Sequence, residues 1–130
     1  MRFPMMYAAI AASTMVVVAP AQAAEVRPFD TRAFALAQKQ GRPILIDIYA
    51  DWCPTCKAQA PVIERIVKSP WATKMVVFRL NFDTQKSDWQ KLGVRRQSTL
   101  IAYRGLRETG RSVGDTDPAR IEKLIRSPVA

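Results

Sequence analysis

The two cysteines of the chain, Cys53 and Cys56, are separated by Pro54 and Thr55. If this segment leaves a strand and begins a helix, side chains three positions apart share nearly one face of the first turn and come within disulfide reach. Such a pair can close and reopen with little movement of the backbone. The spacing therefore predicts a redox-active dithiol.

A helix that begins at this pair would give its cysteines different roles. Pro54 suits the first helical position, because its ring presets φ and its missing N–H would have no partner there. The unpaired N–H groups and the positive end of the helix dipole then lie close to the sulfur of Cys53 and favour its thiolate. Cys56, one turn deeper, is expected to be better covered and less acidic. We predict that Cys53 is the nucleophile and that Cys56 is the resolving cysteine.

Two other interpretations of the pair stay open. A structural disulfide across so short a loop would constrain the unfolded chain little, so it would stabilise the fold weakly. A zinc or iron–sulfur site is the second alternative, since both bind thiolates. With no histidine and two cysteines in 130 residues, however, a four-ligand site would need a second chain, carboxylates or an outside thiol.

The apolar, β-branched run at residues 43–50 comes directly before the dithiol segment. It predicts a strand buried on both faces at the centre of an α/β sheet. Its one charged residue, Asp47, would have its pKa raised by burial, which makes it a candidate proton acceptor for a nearby thiol. The alternative is a structural carboxylate that is satisfied by a partner.

The remaining sequence patterns predict helices and further strands around this central strand. Apolar spacing and capping residues indicate four helices: one from Asp30 or Thr31 to Gln40 and ended by Gly41, one from Cys53 through Val67 with a kink at Pro61, a short one with a capping box of Ser87 and Gln90, and one capped by Thr116 or Asp117. Apolar runs predict a strand at 75–82 and a hairpin of strands 100–103 and 108–113. Residues 24–28 are too few for us to assign a strand.

Length and charge limit the possible classes of protein. A chain of 130 residues with 48% hydrophobic residues has room for one domain with a real core. The net charge of +9 comes from basic residues that are scattered, except near Arg95–Arg96 and around Arg104, Arg107 and Arg111. No motif combines aromatic and basic residues, so we predict no nucleic-acid partner.

The first 23 residues have the pattern of a cleavable signal peptide. Arg2 is followed by an apolar stretch at residues 5–18, and Ala21-Gln22-Ala23 fits a small-x-small cleavage site. We therefore expect a signal at 1–23, a domain at 24–130, and export to the periplasm. The alternative is an uncleaved membrane anchor, since residues 5–24 could almost span a bilayer. The cleavage site and Pro20 favour removal.

Several motifs in register resemble the thioredoxin superfamily over residues 29–125. They are Trp52-Cys53-Pro54-Thr55-Cys56-Lys57, the buried Asp47, the helix proline Pro61, Asn81-Phe82-Asp83, Gly93-Val94, and the glycines Gly105 and Gly114. The resemblance implies an α/β thioredoxin-like fold, in which a central mixed sheet is flanked by helices on both faces. It also implies that Trp52 borders the active site, whereas we expect Trp89 to serve packing.

Within the superfamily, the Pro54-Thr55 dipeptide and the signal resemble exported, reductase-type members, including those that serve cytochrome c maturation. This resemblance implies a protein-disulfide reductase that acts on exported protein thiols and disulfides. It would need no cofactor, would hold no metal, and would be kept reduced by a membrane thiol–disulfide electron donor. Contact with the membrane itself is expected only if the signal is retained. The alternatives are a disulfide-forming oxidase and a non-enzymatic module that binds a metal or a partner.

One position departs from the superfamily pattern. Members carry a cis-proline opposite the dithiol, and Ser98 stands in its place within Gln97-Ser98-Thr99. A cis bond before a residue other than proline costs about 2.5–4 kcal/mol, so we expect a trans peptide here. The resemblance implies that this loop, together with Trp52, Pro54 and Thr55, binds the substrate beside the reactive sulfur.

Overall fold

The computed structural model describes residues 13–18 and 23–129. The strands are β1 (Glu25–Pro28), β2 (Pro43–Tyr49), β3 (Val76–Asn81), β4 (Thr99–Arg104) and β5 (Arg107–Val113). The helices are α1 (Thr31–Lys39), α2 (Pro54–Val67), α3 (Lys86–Lys91) and α4 (Pro118–Arg126), with a short 3-10 turn at Pro70–Ala72. Most of the predicted signal peptide, including residues 1–12 and most of its cleavage motif, lies outside the described residues.

The five strands form one mixed sheet in the order β1-β3-β2-β4-β5. Strand β3 runs parallel to both β1 and β2, whereas β4 is antiparallel to β2 and to β5. The apolar run 43–50 therefore does form the central strand, as its sequence predicts. Because β2 and β3 are parallel and β4 is antiparallel, the end of β2, the end of β3 and the start of β4 meet at one edge of the sheet.

Helices cover both faces of the sheet, and β2 alternates between the two cores. Ile44, Ile46 and Ile48 pack in a core that includes residues of α1 and has Trp89 of α3 against it. Leu45 packs in the other core, with residues of α2 and α4. The predicted architecture, a central mixed sheet flanked by helices on both faces, is confirmed.

Local signals place most element boundaries correctly. Asp30 caps α1, since its Oδ1 accepts from the backbone N–H of Ala33 at 2.8 Å, and Asp117 caps α4 in the same way through the N–H of Arg120 at 2.8 Å. Helix α2 begins at Pro54 and continues through Pro61 to Val67.

One expectation about local structure is wrong, and one segment that the sequence left unassigned forms a strand. The proposed capping box of Ser87 and Gln90 does not form, because α3 begins at Lys86 after Gln85, which makes no side-chain cap bond. The side chain of Gln85 instead donates to the carbonyl of Phe29 and accepts from the N–H of Asn81, at 3.1 and 3.0 Å. Residues 25–28, too few for an assignment from sequence, do form β1, because β3 supplies the pairing from Glu25↔Val76 onward.

Within residues 13–18 and 23–129, no helix has both the length and the apolar character needed to cross a bilayer.

Candidate active site

Cys53 is the N-cap of α2. Its backbone is extended, with φ −84° and ψ 110°, and Pro54 occupies the first turn. The backbone N–H of Cys56 donates to Sγ of Cys53 at 3.1 Å, so the sulfur takes the place of a capping oxygen. Cys53 and Cys56 are joined in a disulfide, with their Cα atoms 5.3 Å apart. The predicted helix start and the predicted redox pairing are both present.

The relative coverage of the two cysteines is the reverse of our expectation. In the disulfide form Cys53 is 1% exposed and Cys56 is 8% exposed. The N–H of Cys53 donates to the carbonyl of Ala50 at 3.2 Å, and this turn brings Cys53 against the core that Tyr49 and Phe82 flank. Depth along the helix alone made Cys56 the better covered cysteine. In the structure the turn that precedes α2, closed by the Ala50–Cys53 bond, buries Cys53 as well.

Trp52 directly precedes Cys53 and lies largely in solvent. It is 56% exposed, although its Nε1 donates to both carboxylate oxygens of Asp83, at 3.2 and 2.9 Å. This bond fixes an aromatic surface beside Cys53. Trp89, by contrast, stacks on Phe82 at 4.5 Å and donates to its carbonyl at 2.8 Å, so its predicted packing role is confirmed.

Asp47 lies on the α2 side of β2. It is 7% exposed, and Nε of Arg79 donates to its Oδ2 at 3.4 Å. Burial raises the pKa of Asp47 above its usual value, and the nearby Arg79 guanidinium opposes this shift. Arg79 also lies over the ring of Tyr49, 3.8 Å from its centroid. The carboxyl therefore has the raised pKa expected of a proton acceptor and also the partner expected of a structural carboxylate.

A cavity of about 230 Å³ adjoins this carboxyl. Its lining comes from β1, β2, β3 and α2: Val26, Asp47, Ala60, Ile63, Glu64, Val67, Val77 and Arg79. A water molecule's share of liquid volume is about 30 Å³, so several waters fit. Because Val26, Glu64 and Arg79 are exposed at the surface, the cavity gives the buried carboxyl a route to solvent.

The Gln97-Ser98-Thr99 loop lies at the same end of the sheet as the disulfide, since Thr99 pairs with Ile48 near the end of β2. No peptide bond in the described residues is cis, so the predicted trans bond before Ser98 is confirmed. Ser98 has φ +58°, and it is the one non-glycine residue of the described ranges with a positive φ. For an L-residue this conformation costs about 1–2 kcal/mol.

Internal hydrogen bonds hold the backbone of Ser98. Its N–H donates to the carbonyl of Ile48 at 2.8 Å, and its carbonyl accepts from the N–H of Gly114 at 3.0 Å. Its hydroxyl donates to the carbonyl of Gln97. Ser98 and Thr99 are buried and Gln97 is half-buried, so Gln97 is the predicted loop residue with the most access to a partner.

The two residues between the cysteines differ in access. Pro54 is exposed and Thr55 is half-buried. The structure therefore gathers all the predicted substrate-binding residues at one end of the sheet, with Trp52, Pro54 and Thr55 on the helix side and the Gln97–Thr99 loop on the β4 side.

Two residues of this site were missed by the sequence analysis. Gln59, one turn after Cys56, is 1% exposed, and its Nε2 donates to the carbonyls of Ser98 and Asp115 at 3.2 and 2.8 Å. Its Oε1 is buried without a hydrogen-bond partner in the described part of the chain. A polar residue on the apolar face of α2 was the available signal. Arg79 is the second residue that was missed. Its signal was that it is the one charged residue in the run that became β3.

A disulfide that caps the helix after the central strand of a mixed, helix-flanked sheet defines the class: an α/β protein with a dithiol exchange site. The sequence profile of the family Thioredoxin matches residues 25–127, and the chain belongs to this family. It is therefore a thioredoxin-family thiol–disulfide oxidoreductase with a Cys53–Cys56 disulfide.

Individual proteins of similar sequence agree with this assignment. Thioredoxin-2 of Saccharomyces cerevisiae is 35% identical over 86 residues, which cover 66% of this chain and 80% of that protein. Thioredoxin of Chlamydia muridarum is 34% identical over 83 residues, covering 63% and 78%. Among solved structures, the crystal structure of Trxlp from Edwardsiella tarda EIB202 superposes with a TM-score of 0.76 and 42% sequence identity. The match covers 78% of this chain and 98% of the Trxlp chain.

Proposed function

We propose that this protein reduces the disulfides of exported proteins by dithiol exchange through Cys53 and Cys56. The observation that carries the proposal is the bond from the N–H of Cys56 to Sγ of Cys53 at the start of α2. In the reduced protein the same N–H and the helix dipole favour the Cys53 thiolate, which is the attacking species.

The reaction has two exchange steps. The Cys53 thiolate attacks one sulfur of the substrate disulfide, the substrate S–S bond breaks, and the second substrate sulfur leaves as a thiolate. Cys56 then gives its proton to the Asp47 carboxylate and attacks Sγ of Cys53, which releases the first substrate sulfur. Two electrons pass to the substrate, which becomes a dithiol, and the enzyme ends as the Cys53–Cys56 disulfide.

Proton transfer at Asp47 is supported by its surroundings. The carboxyl lies on the α2 face of β2, its pKa is raised by burial, and the adjoining cavity of about 230 Å³ can hold water between it and solvent. A base with a raised pKa accepts a thiol proton more readily near neutral pH and returns it to solvent afterwards.

The direction of electron flow follows from the charge near the sulfurs. Strong oxidants stabilise their reduced thiolate heavily, whereas Thr55 supplies only a hydroxyl and Asp47 supplies a carboxylate that opposes a second negative charge. We therefore propose a reductase, with the disulfide-forming oxidase as the alternative. The reduction potential, measured against glutathione and dithiothreitol, separates the two: a value near the reducing end of roughly −270 to −120 mV supports the reductase, and one near the other end supports the oxidase.

Substrate capture tests the proposed reaction. In cells that carry Cys56→Ser, the mixed disulfide at Cys53 cannot be resolved, so exported proteins should accumulate on the variant and come off with reductant. The matched control, Cys53→Ser, lacks the nucleophile and should capture none. Equal capture by both variants, or none by either, would count against exchange through this pair.

Export is proposed from the signal pattern of residues 1–23, and with it a membrane thiol–disulfide electron donor that keeps the dithiol reduced. Fractionation of cells with the full chain, followed by N-terminal sequencing, tests this step. A periplasmic protein that begins at Ala24 is expected. A cytosolic protein that retains residue 1 would contradict export. The exchange chemistry would then be tested separately by the substrate-capture experiment.

The non-enzymatic alternative has one observation in its favour. Both backbone groups of Ser98 bond inside the protein, to Ile48 and to Gly114 and Gln59, so this residue offers no free backbone group to a substrate strand. Reduction of insulin disulfides, with the metal content of the purified protein, separates the alternatives. Turnover by the wild type that is lost in Cys53→Ser supports the enzyme; a bound metal without turnover supports the module.

A further inference from the structure

Two adjacent arginines, Arg95 and Arg96, are exposed just before the Ser98 loop. Among the described residues neither forms an ion pair, whereas six other arginines do: Arg27, Arg42, Arg79, Arg111, Arg120 and Arg126. The charge of Arg95 and Arg96 is therefore available to a partner molecule.

The backbone on both sides of this pair is fixed. Val94 is buried, and its N–H donates to the carbonyl of Trp89 at 3.0 Å. On the other side the hydroxyl of Thr99 donates to the carbonyl of Arg96 at 2.7 Å. The backbone that carries the two guanidinium groups is thus held in place, so a bound partner does not have to order it.

The pair lies at the end of the sheet that carries the disulfide. Ser98, two residues after Arg96, bonds to Ile48 near the end of β2 and to Gln59 in α2, the helix that Cys53 caps. A protein chain whose disulfide is attacked by Cys53 can therefore extend across this segment.

Shallow concave surfaces flank Arg95. One of about 250 Å³ is lined by Gly93, Val94, Arg95, Arg96, Thr99, Arg111 and Val113, and a second of about 400 Å³ by Trp89, Gln90, Gly93, Val94 and Arg95. The guanidinium fork matches a carboxylate, which it can bind through two parallel hydrogen bonds. The side chain of Val113, 55% exposed, adds an apolar surface beside this fork.

The charge around the disulfide is asymmetric. Strands β3 and β4 lie on opposite sides of β2. The exposed residue Asp83 follows β3, whereas Arg95 and Arg96 precede β4 on the other side of β2. The carboxylate on that second side, Asp115 after β5, is paired with Arg120. A bound chain is therefore attracted in one orientation, with its acidic residues toward β4.

We propose that Arg95 and Arg96 form a docking subsite for an acidic segment next to the target disulfide. The substrate class is then a protein or peptide with Asp or Glu a few residues from the reactive cysteine. This inference rests on the proposed function, because it assigns a substrate preference to the same dithiol. Exposed ion pairs are weak and screened by salt, so each arginine should contribute about a 2- to 5-fold preference.

Two synthetic disulfide peptides test the inference, identical except that Asp and Glu in one are replaced by Lys in the other. The ratio of their kcat/KM values is measured for the wild type, for Arg95→Gln/Arg96→Gln, and for the control Arg107→Gln, whose exposed arginine starts β5 at the hairpin turn. We expect about a 4- to 25-fold preference for the acidic peptide in the wild type and in the control, falling toward 1 in the double variant and in 0.5 M salt. A preference that is absent in the wild type, or kept by the double variant, would overturn the inference.

A binding measurement separates this inference from the proposed function. A cysteine-free acidic peptide is titrated into the oxidised protein, and amide shifts at residues 94–98 are followed by NMR. Shifts with the acidic peptide but not with its lysine counterpart support the subsite even if no disulfide is reduced, in which case only the proposed function fails. An equal response to both peptides, or no response, overturns the subsite even if reduction is observed.

Discussion

The side-chain amide of Gln59 joins the dithiol helix to the loop that carries Ser98. Its Nε2 donates to the carbonyl of Ser98 at 3.2 Å and to that of Asp115 at 2.8 Å. The same Ser98 carbonyl accepts from Gly114, so α2, the start of β4 and the end of β5 are joined at one buried point. A buried polar side chain is thus the connection between the disulfide and its neighbouring loop.

We expect Gln59→Leu to destabilise the oxidised protein by about 1–2 kcal/mol, because two buried carbonyls lose a donor while the unpaired Oε1 is removed. Urea denaturation measures the change, and hydrogen exchange at the Gly114 amide, which should become faster, localises it to the loop. Gln90→Leu, at an exposed glutamine of α3, is the matched control and should stay within about 0.5 kcal/mol of the wild type. Equal stability of the two variants would show that the amide does not support the loop.

Substitutions of Ser98 test its left-handed backbone. Ser98→Gly removes the steric cost of φ +58° but frees the unfolded chain, so it should stay within about 1 kcal/mol of the wild type. Ser98→Pro cannot adopt this φ and lacks the N–H that bonds to Ile48, so a loss of more than about 2 kcal/mol is expected. Chemical denaturation compares the three proteins. A proline variant as stable as the wild type would mean that the loop accepts a different backbone.

The sequence predicted the features that short-range patterns determine. The apolar run 43–50 became the central strand, and Cys53 with Pro54 began the helix, because composition and capping act within a few residues. Strand β1 depends on pairing with β3, and the false capping box failed because Gln85 bonds to Phe29 and Asn81. Strand β1 and the start of α3 are therefore determined by contacts outside the local sequence pattern.

The candidate site likewise contains residues that local sequence patterns predicted and residues that they did not. Spacing alone predicted the dithiol, and a charge in an apolar strand pointed to Asp47. Arg79 and Gln59 were missed, since the role of Arg79 depends on the register Asp47↔Arg79 and that of Gln59 on where the Ser98 loop packs. The roles of both residues therefore depend on contacts between segments that are distant in the sequence.

The buried carboxyl of Asp47 should make stability depend on pH. Burial raises its pKa in the folded protein above the ordinary aspartate value of 3.8, so the folded state holds the proton more tightly than the unfolded state. The stabilisation is complete below about pH 3.8 and is lost as the pH rises through the folded pKa. Each unit of pKa difference corresponds to about 1.4 kcal/mol.

Asp47→Asn stays neutral and should remove this dependence, so the oxidised variant should gain stability over the wild type as the pH rises from 4 to 8. Urea denaturation across this range measures it, with Asp51→Asn, at an exposed carboxylate, as the control. Parallel curves for wild type and Asp47→Asn would contradict a raised pKa. If Asp47 accepts the proton of Cys56, reduction of insulin disulfides by the variant should also fall by about 10-fold or more.

Removal of the positive charge of Arg79 should raise the pKa of Asp47 further. The guanidinium of Arg79, 3.4 Å from Oδ2, lowers the pKa that burial raises, so Arg79→Gln leaves burial unopposed. The pH range over which stability is lost should therefore move to higher values than in the wild type, and ¹³C NMR of the Asp47 carboxyl should show the same displacement. Arg27→Gln, at an exposed arginine of β1, serves as the control and should leave the titration in place. A downward shift in Arg79→Gln would mean that desolvation by the arginine side chain outweighs its charge.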